Sequence, residues 1–231
     1  MNDFLNALSD FRFLKDKKYP DRAALKLVGD RYRLTATVRN CLFRGVVSQK
    51  AKSRRIARLL KPEQLCSRPL GIDWFNVLIT LESYLKGHPV FIADDGVLRD
   101  SSGVHGSYRP GSVTPRATTE ILKNIICLLP ESISIYIDSP ISFSGETALS
   151  LRKELERLTT IPFTVAVIPS ADFPLKSFRG VVATSDSIIM DKNESIFDLP
   201  RYTLRRSFNF KSPDLSRLAE TIFPSQITSA T

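Results

Sequence analysis

Four of the five short apolar runs between residues 69 and 184 end on aspartate. "PLGI" leads into Asp73, "PVFIA" into Asp94 and Asp95, "SISIYI" into Asp138, and "GVVAT" into Ser185 and Asp186. Only "FTVAVI", which leads into Pro169 and Ser170, lacks a carboxylate there. Aspartate fills 15 of 231 positions, so this coincidence is far above chance. A carboxylate beside a buried run is costly to desolvate and is normally paired, bound to a cation, or placed where the segment surfaces. In an open parallel sheet, the carboxyl ends of the strands form the ligand crevice. Aspartates meeting there repel one another and raise each other's pKa unless a cation sits between them. An oxygen-rich, histidine-poor set suits Mg²⁺ or Mn²⁺. Asp73, Asp95, Asp138 and Asp186 are therefore candidate metal ligands. The competing role for Asp73 is to cap the helix that follows Ile72.

Their neighbours suit phosphate chemistry. In "YIDSPISFSGE", Ser139, Ser142, Ser144 and Gly145 form a loop whose hydroxyls and backbone N–H groups would hold a phosphate at a helix N-terminus. In "VVATSDSIIMD", Thr184, Ser185 and Asp186 follow the strand directly, and Asp191 comes one short element later. Asn76, three residues beyond Asp73, would orient it by hydrogen bonding. The segment "FIADDGVLRDSSGVHGSYRP" gathers Asp94, Asp95, Asp100, His105 and Arg109 between a strand and a helix, where loops carry substrate contacts. There Asp95 or Asp100 would be a further ligand, with Arg109 and His105 facing a phosphate or leaving group. "DDG" is also ordinary turn chemistry. His88, beside Pro89, has no such company and reads as structural.

From residue 69 onward, apolar strands alternate with helical stretches: "FNVLITLESYLKG", "PRATTEILKNIICLL" with Pro115 near its first turn, and "SGETALSLRKELERL" capped by Ser144. In the last of these, Ala148, Leu151, Leu155 and Leu158 make one stripe. The alternation predicts one parallel sheet covered by helices on both faces. Residues 1–68 read as helical instead. "FLNALSDFRFLKD" is followed by "DRAALKLVGD", stopping at Gly29, and by a stripe of Leu34, Val38, Leu42 and Val46 that is weakly helix-turn-helix-like.

Charge separates the two parts. Residues 1–70 carry 17 Lys+Arg against 6 Asp+Glu, a net of +11 within a total of +9, and the remainder nets −2. A basic front end points to a polyanion, most often nucleic acid. In "SQKAKSRRIARLLKP", Lys50, Lys52, Arg54, Arg55 and Arg58 would contact phosphates; the bland alternative is a solvated linker helix. The expected organisation is a small basic helical module over 1–68, an α/β domain over 69–206, and a loosely attached tail over 207–231.

The 42% hydrophobic content is that of a globular chain, with no run long enough to span a membrane and no signal-peptide core at the start. Three cysteines without CxxC pairing argue against a zinc site or disulfide framework and suit a cytoplasmic location. No GxSxG is present, and two histidines leave little for a serine or cysteine hydrolase. Glycine-rich nucleotide fingerprints are also absent.

"IDWFNVL", "YIDSPISFSG" and "VVATSDSIIMD", in that order, resemble the motifs of the PIN-like nuclease superfamily. The likeness is nearest to its NYN branch, with an Asp-x-x-Asn signature at Asp73 and Asn76 and a late Thr-Ser-Asp at 184–186. It covers residues 69–191. It implies a PIN/NYN-like α/β domain acting as an Mg²⁺- or Mn²⁺-dependent ribonuclease, with Asp73, Asp138 and Asp186 as the catalytic carboxylates and RNA as partner. Trp74 departs from the pattern, standing where a small glycine is common, and is expected to narrow the site. Two alternatives share the frame. One is a non-catalytic RNA-binding protein. The other is a metal-dependent phosphatase or nucleotide-processing enzyme, which would not need the basic module.

Overall fold

The computed structural model describes residues 2–101, 108–211 and 213–218. The chain divides into two compact units. One comprises Met1–Ala57, Pro89–Gly103 and Ser212–Thr231, and the other Arg58–His88 and Val104–Lys211.

The first unit is mainly helical, with α1 (Asn2–Asp16), α2 (Asp21–Arg31), α3 (Ala36–Gly45) and α4 (Gln49–Arg58), the last residue of which belongs to the second unit. Ala7, Leu8 and Phe11 of α1 meet Ala24 and Val28 of α2 and Leu42 of α3 in one core, which Val46 completes. Gly29 does not stop α2. It is buried inside the helix where the Arg39 guanidinium approaches, and the helix ends two residues later, before Arg33 at φ 50°.

β2 (Val90–Ile92) and β3 (Leu98–Asp100) belong to this unit too. They pair antiparallel as a two-stranded hairpin rather than joining the parallel sheet. The reason is local: Gly96 at φ 81° lets "DDG" reverse the chain, closed by Ala93 N–H to Val97 O and Gly96 N–H to Ala93 O, each at 2.9 Å. Within the expected tail, residues 213–218 are held against this unit's hairpin. Ile92 N–H donates to Pro213 O, and Leu215 of α11 (Leu215–Leu218) is buried against Phe91 and Ala93.

The second unit holds a five-stranded, wholly parallel sheet built from β1 (Pro69–Asp73), β4 (Ser132–Asp138), β5 (Phe163–Ile168), β6 (Val181–Ala183) and β7 (Ile196–Phe197). The order is β5-β4-β1-β6-β7, so the chain steps outward from β1 to β5 and then returns to the other side of β1. β7, two residues long, was not expected from the sequence. Between strands run α5 (Trp74–Leu85), α6 (Thr114–Cys127), α7 (Ser144–Leu158), α8 (Asp172–Leu175) and α9 (Ser187–Lys192), with α10 (Leu199–Phe208) after β7. α5 is buried on nearly every face from Trp74 to Ser83, as befits a helix apolar all round. β6 and β1 lie so close that a Cβ on Gly180 would collide with the Pro69 carbonyl. No described helix is long and apolar enough to cross a membrane.

Candidate active site

β1 and β6 are neighbours in the sheet, yet their connections leave in opposite directions, which makes the gap between them the topological switch point. Ligands of open α/β sheets bind at the carboxyl ends of the strands at such a point. Asp73 closes β1, Thr184 follows β6, and Asp138 closes β4 on the other side of β1.

Asp73 occupies the N-cap position of α5, but its side chain makes no capping bond. Instead, Oδ2 accepts from the Thr184 hydroxyl at 2.9 Å. That hydroxyl in turn accepts from Asp186 N–H at 3.0 Å, tying the end of β6 to the carboxylate. Asp73 is buried, 6% exposed. Burial pushes its carboxyl up to about 7, the Thr184 bond opposes the rise, and the charges of Asp138, Asp186 and Asp172 add to it.

Asp172 is a group that sequence reasoning missed. It lies four residues beyond β5, in the first turn of α8, and pairs with Lys176 at 2.9 Å. The one strand without a carboxylate at its end thus supplies one from the next helix, and the signal was present as the acidic first residue of "DFPL".

Each carboxylate is held by a different local device. Asp138 Oδ1 accepts from Ala171 N–H at 2.8 Å, joining β4 to the loop after β5. Asp186 Oδ1 caps α9 by accepting from Ile188 and Ile189 N–H at 2.7 and 3.1 Å. Asp73, Asp138 and Asp186 each commit one oxygen to these bonds. Among the described residues, no three His, Cys, Asp or Glu side chains form a ready ligand group. The donor set itself, oxygen only and crowded with negative charge, fits a hard divalent cation.

Asn76 does not orient Asp73 as expected. Its Oδ1 accepts from both the N–H and the hydroxyl of Ser185, at 2.8 and 2.9 Å, pinning α5 to the end of β6. Thr184 does the orienting. In the loop after β4, Ser142 is exposed, and the Ser144 hydroxyl donates to Ser139 O at 3.4 Å. Ser144 is the first residue of α7 rather than its cap; that position belongs to Phe143. Asp191 lies in α9, where its backbone carbonyl accepts from Arg58 at 3.2 Å. Arg109 is exposed. His105 lies outside the described residues.

Asp94, Asp95 and Asp100 fall in the helical unit, where each is matched with arginine. Arg99 grips Asp95 with two bonds of 2.6 and 2.9 Å, and Arg55 adds a third at 3.0 Å. Burial pushes the Asp95 carboxyl up, but the two guanidiniums outweigh it and hold it below the usual carboxylate range. Asp94 pairs with Arg12 and Asp100 with Arg44. Asp95 is thus neutralised inside a salt-bridge network, which leaves it no charge to offer a cation. Arg55, expected to contact phosphate, is buried at 5% exposure and spent on Asp95. Arg58 pairs with Glu194 at 2.6 Å. Lys50 and Arg54 remain exposed on α4, with Lys52 half-buried.

A five-stranded parallel sheet with carboxylates at its strand ends defines an α/β domain with a candidate site at the switch point. The chain belongs to the family described as "Domain of unknown function (DUF5616)", which matches residues 62–202 and so spans Asp73, Asp138, Asp172 and Asp186. Residues 3–58 match "Protein of unknown function (DUF434)". The chain is also similar to "Uncharacterized protein MJ0935" of Methanocaldococcus jannaschii, 31% identical over 190 residues, covering 82% of this chain and 89% of that protein. Neither family description names a PIN-like or NYN domain. No solved structure matches.

Proposed function

We propose that the α/β unit is a PIN/NYN-like phosphodiesterase that hydrolyses RNA, with Asp73, Asp138 and Asp186 holding Mg²⁺ or Mn²⁺. The observation that carries this reading is Asp73 itself. Burial at the ligand end of the sheet raises its carboxyl to about 7, and the charges of Asp138, Asp186 and Asp172 add to the rise. Such crowding costs stability and serves no purpose in a simple phosphate binder, whereas a divalent ion relieves it. The bound ion would supply Lewis-acid stabilisation of charge on the phosphoryl group and a more acidic water.

The chain's own groups divide the remaining work. Thr184 fixes the rotamer of Asp73. Asp138 and Asp186 are held by backbone N–H groups through one oxygen, leaving the other for a cation. The hydroxyls of Ser139 and Ser142 would present donors to a phosphate. Exposed Lys50 and Arg54, with half-buried Lys52, would add contacts to the phosphate backbone of RNA. Incubating the purified protein with RNA and with single-stranded DNA, in Mg²⁺, in Mn²⁺ and in EDTA, tests the proposal. Cleavage of RNA that EDTA abolishes is the expected result; cleavage undiminished in excess EDTA rejects the metal mechanism.

A further inference from the structure

Phe143 is out of place by two ordinary criteria. Its backbone sits at φ 65° and ψ 21°, a left-handed conformation that an aromatic residue adopts only under strain. The residue is 51% exposed, a large apolar side chain left at the surface. Strain of this kind gathers where function requires it.

The ring forms one wall of a cavity of about 400 Å³ between the start of α6 and the first three turns of α7. Pro115 and Leu151 add apolar surface, and Thr118, Thr147 and Ser150 add hydroxyls. The volume lies in the range of small-molecule sites. No Lys, Arg or His lines the cavity, whereas Glu146 and Glu154 do. That charge balance disfavours a phosphate inside the cavity and suits a flat heterocycle whose N–H groups can donate to a carboxylate.

The cavity is coupled to the aspartates through one short loop. Ile141 N–H bonds to Asp138 O and Ser144 N–H to Ile141 O, so two successive turns fold the chain between Asp138 and Phe143 back on itself. We propose that this cavity is a nucleobase pocket. In it, Phe143 stacks on a base of the RNA strand whose phosphate lies at Asp138. The strand's backbone stays outside, along the serine loop, and the base turns inward. This rests on the nuclease reading of the aspartates, but the pocket has its own readout.

The test titrates the full-length protein with adenosine 5′-monophosphate, guanosine 5′-monophosphate and, as a base-free control, ribose 5-phosphate. Three forms are compared: wild type, Phe143→Gly and Phe143→Tyr. Glycine suits the left-handed backbone, so Phe143→Gly should keep or raise the melting temperature while removing the ring. The nucleotides should bind wild type at least about tenfold more tightly than ribose 5-phosphate. Phe143→Gly should lose about that factor, and Phe143→Tyr should retain it. Ribose 5-phosphate binding as well as the nucleotides, or Phe143→Gly binding nucleotides as wild type does, overturns the proposal. RNA cleavage measured in parallel separates the two ideas. Phe143-dependent nucleotide binding without metal-dependent cleavage retains the pocket and removes the nuclease. Cleavage with no effect of Phe143 on nucleotide binding does the reverse.

Discussion

The hydroxyl of Thr184 donates a 2.9 Å hydrogen bond to Oδ2 of Asp73, joining two strand ends that lie 111 residues apart in the chain. The Thr184 hydroxyl oxygen accepts from Asp186 N–H, so one side chain couples two of the candidate carboxylates. Thr184→Val keeps the shape and removes both bonds. It should cost about 1–3 kcal/mol, because a buried acceptor and a backbone donor lose their partner. It should also raise the Asp73 carboxyl further, since Thr184 opposes the rise. Thr184→Ser should be nearly neutral. Urea unfolding of the two variants at one pH measures the difference; equal stability of Thr184→Val and wild type would show that the bond does no structural work.

Asp73 should make stability fall as pH rises. Its carboxyl is raised from 3.8 in the unfolded chain to about 7 in the fold, so the protonated form is the favoured one. The contribution is fully present below pH 3.8, is lost progressively as pH climbs toward 7, and stays lost above it. The upper bound is about 4 kcal/mol, at about 1.4 kcal/mol per unit. Asp73→Asn removes this dependence and should be more stable than wild type at pH 8 without divalent ions. RNA turnover should nonetheless fall by orders of magnitude. Asp138→Asn and Asp186→Asn should lose turnover alike, and Asp186→Asn still caps α9, because asparagine caps as well as aspartate. A fully active Asp73→Asn enzyme would remove Asp73 from the site.

Asp95 should behave in the opposite way. Asp95→Ala leaves Arg55 and Arg99 buried without their counter-charge, a loss of about 3–5 kcal/mol. The melting temperature should drop steeply, and any loss of activity should track the unfolded fraction. An Asp95→Ala protein of normal stability and no activity would instead place Asp95 among the ligands.

RNA affinity should depend on salt through the lysines of α4. Lys50→Ala and Lys52→Ala should each lower the slope of log affinity against log salt by about 0.7–0.9, with little change in stability. Removing residues 1–68 would be a poor substitute, because Arg12, Arg44 and Arg55 would leave with that segment and strand Asp94, Asp95 and Asp100. Unchanged slopes in both point variants would assign the basic surface another role.

Elements set by near neighbours were legible in the amino-acid sequence. The apolar runs of β1, β4, β5 and β6, the stripes of α3 and α7, and the turn chemistry of "DDG" depend on residues within a few positions of each other. The aspartates at the ends of β1, β4 and β6 were visible for the same reason, since a strand end is a local event. Tertiary structure decided everything that depended on partners. "PVFIA" has the composition of a sheet strand, but Gly96 turned it into a hairpin, and arginines 40 to 82 residues earlier claimed its carboxylates. Arg55 read as a surface cation in a basic run because no local pattern announces that Asp95 will bury it. Asp172 escaped notice because it sits in a helix rather than at a strand end, and only the parallel order of the sheet lets its charge act on Asp73. Periodicity and turn residues act over a few ångströms along the chain, whereas charge pairing and burial act through space, between residues whose separation in sequence carries no signal of their contact.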